Sequence, residues 1–188
     1  AKLTDCIEKI QISGKHLLDL IDNVLDMAKI ENGKVTLTEE CCNLEECIEK
    51  ARNILQTEID KKHLIFQTDM SDVKNKWVYC DNIRISQILF NILNNAVKFN
   101  KTGGSILVTM SQNMCAIREY VAYEIHIKDN GIGITPEFLS HIFEPFEREH
   151  TSTVSQTQGV GLGMSITKNL VDLMGGSIQV FSEPDKGT

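Results

Sequence analysis

The sequence has no apolar run that approaches the ~18 consecutive residues needed for a membrane-spanning helix. Its first residues, Ala1-Lys2-Leu3, also lack the pattern of a secretory signal peptide. We therefore expect a cytoplasmic fragment that makes no membrane contact of its own. Both ends resemble cuts in a longer protein, which leaves open a membrane anchor upstream in the full-length chain.

Positive charge is also scarce. The 188 residues include 19 Lys and Arg against 26 Asp and Glu, for a net charge of −7. General nucleic-acid binders carry a basic patch or stripe, so we expect no nucleic acid as a partner. An anionic ligand would have to be held by local positive features of the protein.

The six cysteines contain no C-x-x-C pair and no histidine at the spacing of a zinc site. Cys41, Cys42 and Cys47 could be imagined as metal ligands. The simpler interpretation is that they are small buried hydrophobes in a reducing cytosol.

Residues 1–32 predict one long helix, because apolar residues recur at alternating steps of four and three, as in a heptad seam. Gly33 is well placed to end it. A helix of ~30 residues is ~45 Å long, and no other segment of the chain predicts a helix of matching length. We expect it to form half of a dimeric helical hairpin.

From residue 35 onward the pattern mixes strands and helices. Strands are predicted at 35–40, 64–68, 77–80, 105–110, 120–129 and 177–182, and helices after the caps Asn43, Asp81 and Thr135 and at 162–174. Because strands and helices do not alternate strictly, we predict a two-layer α/β sandwich.

The helix after Asp81 carries Asn91, Asn95 and Lys98 at positions i, i+4 and i+7, so the three residues share one face. Two carboxamide oxygens on adjacent turns can share a Mg²⁺ ion with phosphate oxygens and water. Lys98 adds a point charge for a phosphate. From this helix alone, a solvated polar flank is the preferred interpretation, because Asn is common on protein surfaces.

Two glycine-rich stretches follow. In 129–134 (DNGIGI), Asp129 at a strand end could accept a hydrogen bond from the amino group of adenine, and Gly131 and Gly133 allow close approach of the backbone. An ordinary Asn-Gly turn is the alternative. In 159–164 (GVGLGM), glycines open a helix whose exposed amides form an anion site.

The second glycine stretch matches neither the dinucleotide fingerprint nor a P-loop. The sequence also lacks the VAIK and HRD motifs of ordinary protein kinases. The polar stretch 147–158 has no apolar period and lies between Phe146 and the glycines, which is typical of a lid. Arg148 could reach a phosphate from it.

Together these stretches closely resemble the catalytic and ATP-binding domain of bacterial sensor histidine kinases, within the wider ATPase family of gyrase, Hsp90 and MutL. Residues 91–99 resemble the N box, 129–134 the first glycine box, 142–148 the F box, 159–164 the second glycine box and 187–188 the third. The opening helix is similar to the second helix of the family's dimerisation domain. The resemblance implies the Bergerat (GHKL) fold.

The resemblance also implies roles for individual residues. Asn91 and Asn95 would hold Mg²⁺, and these two with Lys98 would form the catalytic set. The ATP-binding residues would be Asn95, Lys98, Asp129, Gly131, Gly133, Ile134, Phe146, Arg148, Gly159, Val160, Gly161, Leu162 and Gly163.

The implied domains are a partial dimerisation helix at 1–34 and a catalytic domain at 35–188 that lacks its last strand. The implied activity is transfer of the γ-phosphate of ATP to a histidine of the dimerisation domain, with a homodimeric full-length protein and the receiver domain of a response regulator as partners. His16 is followed by Leu17 instead of the acidic residue of the family pattern. We therefore expect the phosphoacceptor to lie outside this chain.

Two alternatives stay open: an ATP hydrolase of the same fold, and an ATP-binding regulatory module without catalysis. In the hydrolytic relatives, a Glu that activates water occupies the position that matches Asn91. A carboxamide cannot accept that proton, which favours phosphotransfer.

Overall fold

The computed structural model describes residues 36–114, 120–149 and 161–188, together with eight positions between Gly14 and Ala28. Those eight positions are helical. Large apolar side chains at five of them are between 45% and 63% exposed: Leu17, Leu18, Ile21, Val24 and Leu25. The other residues of the predicted helix 1–32 lie outside the described part of the chain, so its full length stays a prediction.

A small antiparallel sheet begins the described region. Strand β1 (Glu40–Asn43) pairs with β3 (Trp77–Cys80), with Cys42 opposite Val78. The strand predicted at 35–40 was therefore placed too early. Its position is set by the pairing with β3, and the alternation of apolar residues before Glu40 carries no information about that partner.

Helix α1 (Leu44–Lys61) follows directly, and the predicted cap is confirmed: Asn43 Oδ1 accepts a hydrogen bond from the Glu45 N–H at 3.0 Å. Its apolar stripe is buried against the rest of the core. Cys42 and Cys47 are buried, and among the described residues no group of three or more His, Cys, Asp or Glu side chains could hold a metal ion. The interpretation as small buried hydrophobes is confirmed for these two thiols, but it is wrong for Cys41, which is exposed on β1.

The main sheet contains β2 (Ile65–Asp72), β4 (Ser105–Met114) and β5 (Val121–Asp129), in the order β2-β4-β5. Strands β2 and β4 run parallel, and β4 and β5 run antiparallel. One face of β4 is formed by Ile106, Val108 and Met110, and all three are buried. The sheet is therefore mixed, with an apolar face for the helices.

Helix α2 (Asn82–Lys98) packs with α1 on that face, and Leu89 and Leu93 are almost fully buried in the shared core. Burial of a side chain of this size contributes about 1.5–3 kcal/mol. One helical layer on one sheet confirms the predicted two-layer α/β fold.

Asp81 begins α2 as predicted. Its Oδ1 accepts from the Arg84 N–H and its Oδ2 from the Thr38 N–H, both at 3.0 Å. Burial opposes ionisation of this carboxyl, but the two N–H groups stabilise the carboxylate and bring its pKa below the usual value. The same side chain thus caps the helix and anchors the segment before β1.

Two further helices complete the described structure. Helix α3 (Pro136–Leu139) is capped by Thr135, and α4 (Gly163–Leu173) ends at Met174 and Gly175, close to the predicted bounds. Helix α4 contacts α2 through a second, smaller apolar cluster. Its members are Ile88, Leu162, Ile166 and Leu170, and Met27 packs against them.

The strand predicted at 177–182 is absent: these residues form no ladder. Alternation of apolar and polar residues does not by itself produce a strand, because a strand also needs a neighbouring strand with which to exchange backbone hydrogen bonds. In the described residues, β5 has β4 on one side only, and a groove lies between its other edge and residues 177–182. None of the described helices is long and apolar enough to cross a membrane.

The C-terminal end of α2 is held by a partly buried ammonium group. Lys62 Nζ donates to the carbonyl oxygens of Val97 at 2.9 Å, Lys98 at 2.6 Å and Asn100 at 3.1 Å. Desolvation lowers the pKa of Lys62. Hydrogen bonds from this charged group replace water at the orphan carbonyls of the helix end.

We predict that Lys62→Met lowers the free energy of unfolding by about 2 kcal/mol, because these carbonyl groups lose a charged donor. Urea denaturation measures the change. Lys61→Met is the matched control, since Lys61 forms only an exposed pair with Glu58. Equal losses of stability in the two variants would contradict the assigned role of Lys62.

Candidate functional site

One groove of about 2080 Å³ collects most of the residues that the sequence singles out. It is bordered by α2, β5, the turn after β5, the start of α4 and residues 177–188. The candidate residues that line it are Asn91, Asn95, Lys98, Asp129, Gly133, Ile134, Arg148, Gly161, Leu162 and Gly163. Ligand pockets usually measure about 300–1,000 Å³, so one nucleotide would fill only part of the groove.

The remaining candidates lie elsewhere. Gly131 does not line the groove, and the Phe146 side chain is 61% exposed and does not line it either. Gly159 and Val160 are outside the described residues, as is most of the predicted lid at 147–158.

The Asn91 carboxamide is oriented by contacts with α4. Its Nδ2 donates to the Gly163 carbonyl oxygen and to Thr167 Oγ1, each at 3.3 Å. A carbonyl oxygen can only accept, so the atom facing α4 must be the nitrogen. The carboxamide oxygen of Asn91 therefore points away from these partners.

Asn95 lies one turn further along the same helix face and also lines the groove. Its carboxamide makes no hydrogen bond to any other described residue. Two neutral carboxamide oxygens can ligate Mg²⁺, which takes oxygen ligands. They carry no net charge, so they suit an ion whose other ligands are anionic phosphate oxygens.

Two cationic side chains approach one another at this groove. Desolvation lowers the pKa of Lys98, and the nearby positive charge of Arg148 lowers it further. Lys98 Nζ also lies 5.1 Å from the centroid of the Phe99 ring. An anionic ligand between the two cations would relieve their mutual repulsion, so the arrangement favours phosphate.

The start of α4 supplies a second anion-binding feature. The N-cap residue of α4 is Leu162, whose side chain cannot accept a hydrogen bond. The first N–H groups of the helix are therefore not capped by this residue and can bind an anion. Gly161 precedes it at φ +79°, and a Cβ there would lie 2.7 Å from the Glu147 carbonyl oxygen. The Phe146 N–H donates to the Gly161 carbonyl oxygen at 3.0 Å, which joins the F-box segment to the glycine turn.

Asp129 lies at the end of β5, on the groove. Its Oδ1 accepts from the Gly131 N–H at 2.8 Å. Burial raises the pKa of Asp129, although hydrogen bonds from the backbone N–H groups of Gly131 and Thr188 oppose the rise. The carboxyl group is therefore a partly desolvated acceptor, suited to a neutral amino group.

Close packing of the backbone against neighbouring segments explains why residues 129–134 contain two glycines, Gly131 and Gly133. A Cβ on Gly131 would lie 2.5 Å from the Phe99 carbonyl oxygen, and one on Gly133 would lie 2.0 Å from the Glu183 carbonyl oxygen. Gly187 packs in the same way, with a would-be Cβ 2.1 Å from the Asp129 carbonyl oxygen. The glycines bring three chain segments together at the base of the groove.

Sequence reasoning missed Thr167, which is fully buried and contacts Asn91. Nothing marks it in the sequence, where it is one of several residues between the glycine turn and the end of α4. Its contact depends on how α4 packs across α2, which a linear pattern does not reveal.

Comparison with known proteins gives a family match over residues 80–188, to the model described as "Histidine kinase-, DNA gyrase B-, and HSP90-like ATPase". The autoinducer 2 sensor kinase/phosphatase LuxQ of Vibrio parahaemolyticus is 34% identical over 184 residues, which are 97% of this chain and 21% of that protein. The non-motile and phage-resistance protein of Caulobacter vibrioides is 33% identical over 181 residues, covering 96% of this chain and 21% of its own length.

Among solved structures, full-length ShkA in complex with AMPPNP superposes with a TM-score of 0.79 at 29% identity. The match covers 100% of this chain and 37% of ShkA. The chain spans about one fifth of the length of the two relatives named above.

We predict that Gly133→Ala destabilises the protein by about 3 kcal/mol or more, because the new Cβ meets the Glu183 carbonyl oxygen in a region of positive φ. Gly103→Ala is the matched control. Gly103 has φ +76° with nothing within 4 Å of a Cβ, so only about 1 kcal/mol of backbone strain is expected. Denaturant unfolding compares the two, and similar losses would show that the packing at Gly133 is unimportant.

Proposed function

This chain belongs to the histidine kinase-, DNA gyrase B- and HSP90-like ATPase family, and we propose that its groove binds ATP with Mg²⁺ and that the γ-phosphate is transferred to a histidine. The observation that carries the proposal is the convergence of Asn91, Asn95 and Lys98 with the uncapped start of α4 in one groove. Carboxamide oxygens, a cation and helix amides are the groups that a Mg²⁺-bound triphosphate needs.

We assign residues 1–34 to the second helix of a dimerisation domain and residues 35–188 to the catalytic domain. Five exposed apolar side chains between Leu17 and Leu25 support the first assignment, because such a row is stable in water only against a partner. That partner is a second copy of the protein, together with the helix that carries the phosphoacceptor.

The residues present fit Mg²⁺ as part of a nucleotide complex. Asn91 uses its Nδ2 in hydrogen bonds to α4, which leaves its carboxamide oxygen for a cation, and Asn95 offers a second oxygen one turn away. When bound, the ion supplies charge neutralisation at the phosphate oxygens. Because both protein ligands are neutral, the phosphate oxygens supply the anionic part of the coordination shell.

The other groove residues position the nucleotide. Asp129 accepts a hydrogen bond from the adenine amino group, and the turn that contains Gly131, Gly133 and Ile134 shapes its surroundings. The backbone N–H groups of Gly161 to Gly163, at the start of α4, hold the phosphates together with Lys98 and Arg148. Phe146, Gly159 and Val160 complete the set through the segment that closes over the nucleotide.

The chemical step is an in-line displacement. An imidazole nitrogen bonds to the γ-phosphorus while the bond from that phosphorus to the β,γ-bridging oxygen breaks, and ADP leaves. Asn91 cannot take a proton from water, so this position gives hydrolysis no general base. One relative, 34% identical, is named a sensor kinase/phosphatase, which supports a signalling kinase. We place the reaction in the cytoplasm, with a response-regulator receiver domain as the next acceptor.

We predict that Asn91→Ala and Asn95→Ala each lower the Mg²⁺-dependent affinity for ATP at least about ten-fold and abolish phosphotransfer. Calorimetry measures binding, and γ-labelled ATP with a supplied dimerisation domain measures transfer. Asn53→Ala, an exposed Asn on α1, is the control and should match the wild type. Normal transfer by both variants would contradict the metal assignment, and rapid ATP turnover without an acceptor would favour a hydrolase.

Nucleotide affinity should fall with decreasing pH. The raised pKa of Asp129 means that its carboxylate is protonated at a higher pH than an ordinary Asp. Protonation removes the acceptor for the adenine amino group, so the dissociation constant for ATP rises as the pH falls through that pKa. For folding the sign is opposite, because protonation relieves a buried charge and stabilises the folded state.

Calorimetric titrations of wild type and Asp129→Asn across pH 4–7 test this expectation. Titration of ATP itself is common to both proteins, so the difference between them isolates the Asp129 carboxyl. The variant should lose the wild-type dependence, and an unchanged pH profile in Asp129→Asn would exclude Asp129 as the titrating acceptor.

A further inference from the structure

Thr167 is a buried polar residue of α4 that contacts Asn91, one of the two proposed magnesium ligands. It lies in α4, its side chain is 0% exposed, and its Oγ1 donates to the Gly163 carbonyl oxygen at 2.8 Å. The same Oγ1 is 3.3 Å from Asn91 Nδ2. We propose that Thr167 is a positioning residue that fixes the metal-binding orientation of the Asn91 carboxamide. This inference rests on the proposed function.

The hydrogen atoms on this side of Asn91 can be assigned by elimination. The single hydroxyl proton of Thr167 goes to the Gly163 carbonyl oxygen, since that oxygen has no proton of its own. Towards Asn91, the hydroxyl therefore presents a lone pair. Gly163 and Thr167 both act as acceptors, so Asn91 must present its NH₂ group to them.

In a flipped carboxamide, Asn91 Oδ1 would face two oxygens, and the single hydroxyl proton of Thr167 could serve only one of them, so one hydrogen bond would be lost. The Thr167 hydroxyl, together with the Gly163 carbonyl oxygen, thus favours one of two amide orientations that are sterically almost equal. Only the favoured orientation leaves Asn91 Oδ1, the atom able to ligate Mg²⁺, outside these hydrogen bonds. Residues that orient a metal ligand commonly contribute 10–100-fold to metal affinity.

The geometry also joins the metal site to the anion site. Gly163 begins α4, where the uncapped amides lie, and its carbonyl oxygen receives hydrogen bonds from both Thr167 and Asn91. Asn91 is therefore oriented correctly only while the first turn of α4 is formed. The orientation of Asn91 and the anion-binding N–H groups thus both depend on the first turn of α4.

The test is a Mg²⁺ titration of ATP binding by Thr167→Val, Thr167→Ser and the wild type. Valine keeps the shape of Thr167 but has no lone pair, so the Mg²⁺ concentration for half-maximal binding should rise roughly ten-fold. ATP affinity without metal should stay within about two-fold of the wild-type value, a difference that is small for a single contact. Serine restores the hydroxyl and should restore the Mg²⁺ dependence.

Ser165→Ala is the matched control. Ser165 carries a second buried hydroxyl of α4, but it donates to the Leu162 carbonyl oxygen at 2.9 Å instead of to a partner of Asn91. This variant should keep the wild-type Mg²⁺ dependence even if its melting temperature falls. An equal shift in Ser165→Ala and Thr167→Val would mean that Thr167 acts only through the stability of α4.

Asn91→Ala separates failure of this inference from failure of the proposed function. A normal Mg²⁺ dependence in Asn91→Ala would remove the metal assignment itself. A shift in Asn91→Ala with none in Thr167→Val would overturn the role of Thr167 alone. The double variant should shift no further than Asn91→Ala, because Thr167 acts through that side chain.

A measurement on the wild type covers the case in which Thr167→Val does not fold. Side-chain amide protons of Asn91 should exchange slowly with solvent in a nuclear magnetic resonance experiment, because both are bonded to α4. Those of Asn95, whose side chain has no hydrogen-bond partner among the described residues, should exchange fast. Fast exchange at Asn91 would contradict the proposed orientation.

Discussion

Packing of α2 against two separate apolar surfaces determines where the polar side chains of this protein lie. Leu89 and Leu93 are buried against the sheet, while Ile88 belongs to the cluster formed with α4. With two directions around the helix occupied, the remaining edge faces the groove, and it carries Asn91 and Asn95. Rotation of α2 about its axis would expose one of the two apolar surfaces, so the hydrophobic effect itself orients the candidate ligands.

Features set by local periodicity or capping were predictable from the sequence. The shared face of Asn91, Asn95 and Lys98 follows from helical geometry, and the caps Asn43 and Asp81 follow from their side-chain acceptors. The resemblance to histidine kinase catalytic domains, which depended on the order of the motifs, is confirmed by the family match over residues 80–188 and by the fold.

Features that depend on a distant partner were not predictable. The strand predicted at 35–40 was wrong because β3 decides which residues pair, and the one at 177–182 was wrong because no described strand lies beside it. The contact between Thr167 and Asn91 joins positions 76 residues apart. Periodicity describes one element at a time, so it places residues on a face but cannot say what that face meets.

The packing at Gly133 has a consequence for the order in which the parts of the site fold. Gly133 packs on Glu183 and Asp129 packs on Gly187, so the turn after β5 is supported by residues far along the chain. Contacts between residues far apart in the sequence form late in folding, because closing a long loop costs conformational entropy before the contact contributes any stabilisation. We expect Asn91 and Asn95 on α2 to be in place before the turn after β5 has packed on residues 183–187. A partly folded chain would then bind the phosphates of a nucleotide before it could distinguish adenine from guanine.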